Sequence, residues 1–302
     1  MVGTIRFRTR EACPVCGGTD GHALWQGRLS DPDVQVWLGQ FQYSGDATGL
    51  DQPFALWRCA GCGMGFHRSI PDEDGLATLY GQWADAAQAA RFEVAHLPPA
   101  AEADADRRVK IALRLRHLAR QTQPDGPLRL LDFGCGAGAG LLAARALGFQ
   151  AFGVEMSESR AAQARSCGAT VCADLAQVEV AAGGGFHAVV LDQVLEHLPD
   201  PLALLRRVTE AMLPGAVLFL AVPDCSGLTV PRDFDQFHRL QPLEHLNAFT
   251  PATLDRIAIA AGFAPQPAPP AFLTTRPLRA LRAMAALLRH PAPADRFYRL
   301  PQ

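Results

Sequence analysis

The stretch Leu130-Leu131-Asp132-Phe133-Gly134-Cys135-Gly136-Ala137-Gly138 joins an apolar run to an acid and then sets glycines at three alternate positions before an Ala/Leu-rich segment. Glycine has no Cβ and tolerates positive φ, so a strand ending in such a loop lets a ligand approach the backbone closely. The helix that follows offers unpaired N–H groups at its first turn. The spacing is G-x-G-x-G and not the G-x-G-x-x-G of a dinucleotide-binding loop. A strand, a glycine turn and a helix in this order direct the chain toward an open α/β sheet that binds at its strand ends.

The residues that follow repeat the pattern. Leu128–Phe133 reads as a buried strand and Ala139–Leu147 as a helix closed by Gly148. A second strand, Ala151–Val154, ends in Glu155, and Ser157–Cys167 reads as a helix that Ser157 can cap. Thr170–Ala173 is a third strand with Asp174 at its tip; Phe186–Leu191 is a fourth, ending in Asp192; Ala216–Val222 is a fifth. The alternation implies right-handed crossovers and a mostly parallel, doubly wound Rossmann-like sheet. Glu155 follows Gly134 by about twenty residues, the spacing of an acid that accepts both ribose hydroxyls. Asp174 is suited to accept from an adenine amino group. Each acid alone also reads as a helix cap or a solvated loop residue. The ordered series argues for a nucleoside-bearing cofactor, with S-adenosylmethionine the best candidate.

Upstream, Cys13-Pro14-Val15-Cys16-Gly17 and Cys59-Ala60-Gly61-Cys62-Gly63 are both C-x-x-C-G. Two such knuckles supply four tetrahedral thiolates, which suits a structural Zn²⁺ and leaves no position for substrate. The readings in competition are redox dithiols, unliganded thiols or an iron site. The insert between the pairs holds Trp25, Trp37, Phe41, Phe54 and Trp57, enough for a small apolar cluster of its own, and Phe54–Arg58 alternates as a strand leading into the second knuckle. His22 and His67 flank the module and are expected at the surface, with replacement of a Cys ligand as the alternative. Cys135, Cys167, Cys172 and Cys225 are read as small buried or loop residues.

With 302 residues the chain has room for one large α/β domain and a smaller module. The expected division is a zinc-ribbon-like module over residues 1–71, a helical connector or lid over 72–127, a cofactor-binding domain over 128–264 and a Pro/Arg-rich tail over 265–302 with an amphipathic helix. In the connector, Asp72–Trp83 and Asp104–Gln121 have helical spacing around a loop at His96–Ala100, and Tyr80 and Trp83 are lid residues or packing residues. A formal net charge of −2 gives no global field to gather nucleic acid. Met1–Glu11 has no apolar signal core and no run is long enough to span a bilayer, so the expected location is the cytoplasm.

Taken together, these residues resemble a class I S-adenosylmethionine-dependent methyltransferase. The resemblance rests on Leu131–Gly138, Gly153-Val154-Glu155, Ala173-Asp174-Leu175 and Asp192-Gln193-Val194-Leu195-Glu196-His197-Leu198-Pro199-Asp200-Pro201, then His245–Pro251 and Ala261-Gly262-Phe263. It implies that Asp132, Gly134, Gly136 and Gly138 belong to the cofactor site around the methionine part. It sets Glu155 at the ribose, Asp174 and Leu175 at the adenine, and Asp192 and Gln193 beside the transferring methyl. The cysteine-rich front end resembles the zinc module of methyltransferases acting on nucleotide-linked sugars. The C-methyltransferases among those carry a long C-terminal domain, whereas about forty residues follow Phe263 here, so oxygen is the expected acceptor atom. A hydroxyl acceptor calls for a base; the candidates are His245, His197 and His238. The expected activity is methylation of a small molecule, a sugar nucleotide or a secondary metabolite. RNA methylation and a non-catalytic zinc-stabilised binding role are the alternatives.

Overall fold

The computed structural model describes residues 4–84, 87–88, 91, 100–122, 126–267 and 295–302. In chain order come strands β1 (Phe7–Thr9) and β2 (Gly21–Arg28), helix α1 (Pro32–Gly39), strands β3 (Pro53–Cys59), β4 (Gly65–His67) and β5 (Ser69–Pro71), and helix α2 (Glu73–Thr78). Helix α3 (Ala100–Thr122) leads to β6 (Arg129–Phe133), α4 (Ala139–Ala146), β7 (Gln150–Val154), α5 (Glu158–Ser166), β8 (Thr170–Cys172), α6 (Leu175–Ala182) and β9 (Phe186–Asp192). Then follow α7 (Pro201–Ala211), β10 (Met212–Ala221), α8 (Phe234–Leu240), β11 (Asn247–Ala248), α9 (Pro251–Ala260), β12 (Ala264–Gln266) and β13 (Arg296–Arg299). Among the described residues no helix is long and apolar enough to cross a membrane.

The chain divides into two compact units. The first gathers Met1–Leu97, Leu195–Pro201 and Pro223–Arg256; the second holds Pro98–Val194, Leu202–Val222 and Ile257–Gln302.

In the first unit an antiparallel sheet runs β11-β4-β3-β2, and β1 pairs with β5. The aromatic insert does build an apolar cluster, but not alone. Phe41, Phe54, Leu29 and Trp83 share it with Phe237 and Leu243 from far along the chain, and Trp25 and Trp37 pack against it. Trp57 lies elsewhere, its ring under the Arg68 guanidinium. The expected helix Asp72–Trp83 starts where Asp72 caps the Gly75 N–H, but beyond Thr78 it widens into a π turn, Leu79–Trp83. His67 corrects the surface reading: it is fully buried, and its Nε2 meets the Leu240 carbonyl at 2.7 Å.

Arg10 is the principal buried cation of this unit, 7% exposed. Its guanidinium donates to the carbonyls of His67, Leu246 and Pro199 and to Asn247 Oδ1 at 2.7–3.2 Å. The Asn247 amide in turn donates to the carbonyls of Leu195 (2.9 Å) and Leu198 (2.7 Å). Three segments remote in sequence are thereby locked through groups that burial would otherwise leave unsatisfied.

The second unit holds a seven-stranded sheet in the order β12-β13-β10-β9-β6-β7-β8. Strands β10, β9, β6, β7 and β8 are parallel; β12 and β13 close one edge antiparallel. Near-continuous apolar runs such as Ala188–Leu191 fit strands covered on both faces. Strand β10 shifts register between Met212 and Val217, where Pro214 lacks an N–H for the ladder and Gly215 takes φ +76°. The amphipathic tail helix expected around Arg276–Arg289 falls outside the described residues.

Two outcomes follow. Asn247→Ala takes a donor from the carbonyls of Leu195 and Leu198 and an acceptor from Arg10; at about 1–3 kcal/mol for a buried group left unsatisfied, chemical denaturation is expected to show the first unit weakened by about that amount. Gly138→Ala puts a Cβ 2.8 Å from Ala164 Cα at φ +87°; strain of about 1–3 kcal/mol is expected as a drop of several degrees in melting temperature.

Candidate functional site

In the second unit, the carboxyl ends of β6, β7 and β9 lie side by side, with Phe133 opposite both Val154 and Leu191. The acids Asp132, Glu155 and Asp192 and the glycine loop therefore share one end of the sheet, the binding end of an open α/β fold. Gly134, Gly136 and Gly138 all adopt positive φ (+74°, +55° and +87°). A Cβ at Gly134 would stand 2.8 Å from the Val194 side chain, and one at Gly138 would strike Ala164 on α5. The loop thus needs glycine for backbone conformation and for close packing alike.

Glu155 binds this loop directly. Its carboxylate accepts from Gly136 N–H and from Ser157 N–H, both at 2.9 Å. Each oxygen keeps a further lone pair for another donor. Asp174 caps α6, accepting from Gln177 N–H at 2.8 Å and from the Gln177 amide at 2.6 Å, with Leu175 buried beside it. Asp132 is buried behind the loop, where a Cβ at Gly140 would lie 2.5 Å from its carboxylate.

Asp192 meets a partner that pattern reading missed. Arg114, from the middle of α3, reaches its carboxylate at 2.7 Å and lies 3.8 Å over the Phe219 ring. The only sequence signal was an arginine on a helix otherwise read for its apolar stripe. Next to Asp192, Gln193 has φ +58°, rare for a residue with a side chain, and its N–H donates to the Ala221 carbonyl. Backbone strain of this kind costs about 1–3 kcal/mol and concentrates at ligand-holding positions.

The candidate histidines lie in the first unit. The His197 and His245 rings are 4.9 Å apart at 79°, and His238 stacks on His245 at 5.3 Å. Burial drives His197 down to about 4, against the pull of the Glu244 carbonyl, and it drives His245 well below the ordinary imidazole value, with His197 and His238 adding to the effect. Both rings are neutral at physiological pH. Tyr80 reaches this group: its hydroxyl lies 3.0 Å from His197 Nδ1. Tyr43, unnoticed in the sequence, donates to Glu244 and is itself kept protonated by burial and by that carboxylate.

The four cysteines converge. Their sulfurs all lie within 4.8 Å of one another, with Cys13–Cys62 and Cys16–Cys59 at 3.5 Å. Thiolates about 2.3 Å from a tetrahedral zinc ion stand roughly 3.8 Å apart, so the donor set fits that ion. Burial pushes the Cys13 and Cys62 thiols up, which opposes thiolates there unless a cation is present. Cys225 is buried in a different setting, with its thiol near the carbonyls of Pro223 and Arg239.

Comparison with known proteins adds kinship to this geometry. The chain is 34% identical over 116 residues to the ubiquinone biosynthesis O-methyltransferase of Xanthomonas campestris pv. campestris (strain B100), covering 36% of this chain and 48% of that protein. It is 30% identical over 109 residues to the enzyme of the same name from Parvibaculum lavamentivorans, covering 34% and 43%. The chain spans about half the length of the curated relatives it matches. Among solved structures, the plantazolicin methyltransferase BpumL in complex with SAH shares its fold at TM-score 0.50 and 13% identity, over 75% of this chain and 94% of that one. The Methyltransferase domain family matches residues 103–267, more than half of the chain, and the chain belongs to that family.

Proposed function

We propose that the protein transfers a methyl group from S-adenosylmethionine to a hydroxyl of a small molecule in the cytoplasm, with a sugar nucleotide or a secondary metabolite as acceptor. One observation carries this reading: at the strand ends the carboxylate of Glu155 accepts from Gly136 N–H at the centre of a loop whose glycines 134, 136 and 138 all take positive φ. When bound, the cofactor supplies an electrophilic methyl on a sulfonium, and displacement leaves a neutral thioether.

In this reading Gly134, Gly136 and Gly138 admit the methionine part against bare backbone. Asp132 braces the loop from behind. Glu155 accepts the ribose hydroxyls with the lone pairs its two backbone donors leave over. Asp174 and Leu175 border the adenine. Asp192, oriented by Arg114, and Gln193 flank the methyl, where a carboxylate favours the positive sulfonium. The protein's main work is to align nucleophile and methyl and to exclude water. His245 and His197, neutral and buried, help the acceptor hydroxyl to lose its proton. Cys13, Cys16, Cys59 and Cys62 hold a structural zinc that ties the two knuckles of the first unit and takes no part in the chemistry.

Titration calorimetry is expected to show S-adenosylmethionine binding to the full chain, and Glu155→Ala is expected to weaken it at least tenfold, about 1.4 kcal/mol; absence of binding by zinc-replete protein ends the proposal. For the metal, Cys13→Ser with Cys62→Ser is expected to lower the zinc content by one ion per chain. Circular dichroism should then show a less stable first unit, because structural zinc binding is itself folding free energy.

A further inference from the structure

Beside the four-cysteine site, the first unit brings together a second set of donors with ligand chemistry. One nitrogen of His197, one of His245 and a carboxylate oxygen of Glu196 all lie within 4.8 Å of one another. Glu196 is 1% exposed and His245 5%. Their hydrogen bonds decide which ring nitrogens keep a lone pair. Nδ1 of His197 lies 3.1 Å from the Glu244 carbonyl, which can only accept, so Nδ1 carries the proton. The Tyr80 oxygen at 3.0 Å shares that proton, and Nε2 is left as a bare lone pair. The Arg239 carbonyl bears on the His245 ring as a backbone acceptor, and the ring's Nδ1 is buried with no hydrogen-bond partner among the described residues. That nitrogen is therefore the second bare lone pair.

Each imidazole thus has a backbone carbonyl acting on one side of the ring and a bare nitrogen on the other, the outer arrangement that orients metal-bound histidine. The segments carrying them are also fixed. Asn247 holds the carbonyls on either side of Glu196 and His197, and the His245 N–H donates to the Gln241 carbonyl at 3.1 Å. Two neutral imidazoles and one carboxylate form the donor set of zinc-type catalytic sites, which leave a coordination position open. Donors about 2.0–2.2 Å from such an ion stand roughly 3.3 Å apart, so modest side-chain rotation closes the set.

We infer that Glu196, His197 and His245 form a second metal site, for a divalent cation of the zinc class with an open coordination position, distinct from the four-cysteine site. The site stands on these side chains alone. Its chemical use deepens the methyl-transfer proposal and rests on it: a hydroxyl oxygen held at the open position has its proton affinity lowered by the ion and releases its proton to solvent, and the histidines then act as ligands.

The test is a metal count on the full chain after saturation with Zn²⁺ and desalting. Two ions per chain are expected for the wild type, and one each for Glu196→Gln and His245→Gln. One ion in the wild type, or two retained in both variants, overturns the inference. Because either variant can misfold, a second measurement uses the wild type with zinc at the cysteines and Co²⁺ as probe. Visible bands of a nitrogen/oxygen cobalt site without thiolate-to-cobalt charge transfer support the site; no cobalt bands refute it. Calorimetry with S-adenosylmethionine on the same wild-type sample separates the two claims. Cofactor binding with a single ion sinks this site and leaves methyl transfer standing, whereas two ions without cofactor binding does the reverse.

Discussion

A guanidinium buried away from water has to find its hydrogen bonds inside the protein, and Arg10 finds them on three pieces of chain that the sequence separates by up to 237 residues. Its partners are the carbonyls of His67, Leu246 and Pro199 and the amide of Asn247. Burial lowers its own pKa to about 9, so it remains a cation at physiological pH. The neighbouring Asn247 extends the same pin to Leu195 and Leu198. Glu196, His197 and His245 are each the sequence neighbour of one of these anchor points. The pin and the contact of His197 Nδ1 with the Glu244 carbonyl hold Glu196–His197 and Glu244–His245 in a common frame.

The second unit rests on a different constraint, the absence of side-chain atoms. Three glycines with positive φ turn the chain at the end of β6, and the Gly136 N–H of that turn donates to Glu155 from the end of β7. The left-handed backbone of Gln193 lies at the end of the adjacent β9. One end of the sheet is thus strained, while the strands behind it are apolar and well packed. This combination holds a ligand in register because the scaffold beneath it does not yield.

Much of the second unit was legible in the chain because its signals are local. An apolar run, a glycine turn and an Ala/Leu helix each declare themselves within a dozen residues, and β6, β7, β8 and β9 lie within a residue or so of their expected bounds. The last strands were not legible. β12 carries Pro265, and β13 is a four-residue strand defined by its antiparallel pairing with β10 and β12. His67 was misread for a similar reason: nothing near it in sequence signals that the Leu240 carbonyl will cover it. The aromatic residues of the cysteine insert looked self-sufficient, yet Phe237 and Leu243 complete their cluster. Arg114 stayed hidden because an arginine on an amphipathic helix looks solvated until an Asp192 comes within reach.

By itself the sequence determined the class of sheet, the conformation of the glycine loop and the pairing of two cysteine knuckles, since each follows from covalent sterics or from ligand chemistry within a few residues. Only the tertiary structure decided that Glu196–His197 and the segment around His245 fold with the first hundred residues, and which nitrogens of those histidines are left bare. The reason is physical: a backbone carbonyl or a buried guanidinium is the same group at every position in the chain, and it selects its partners only when burial removes water as the alternative.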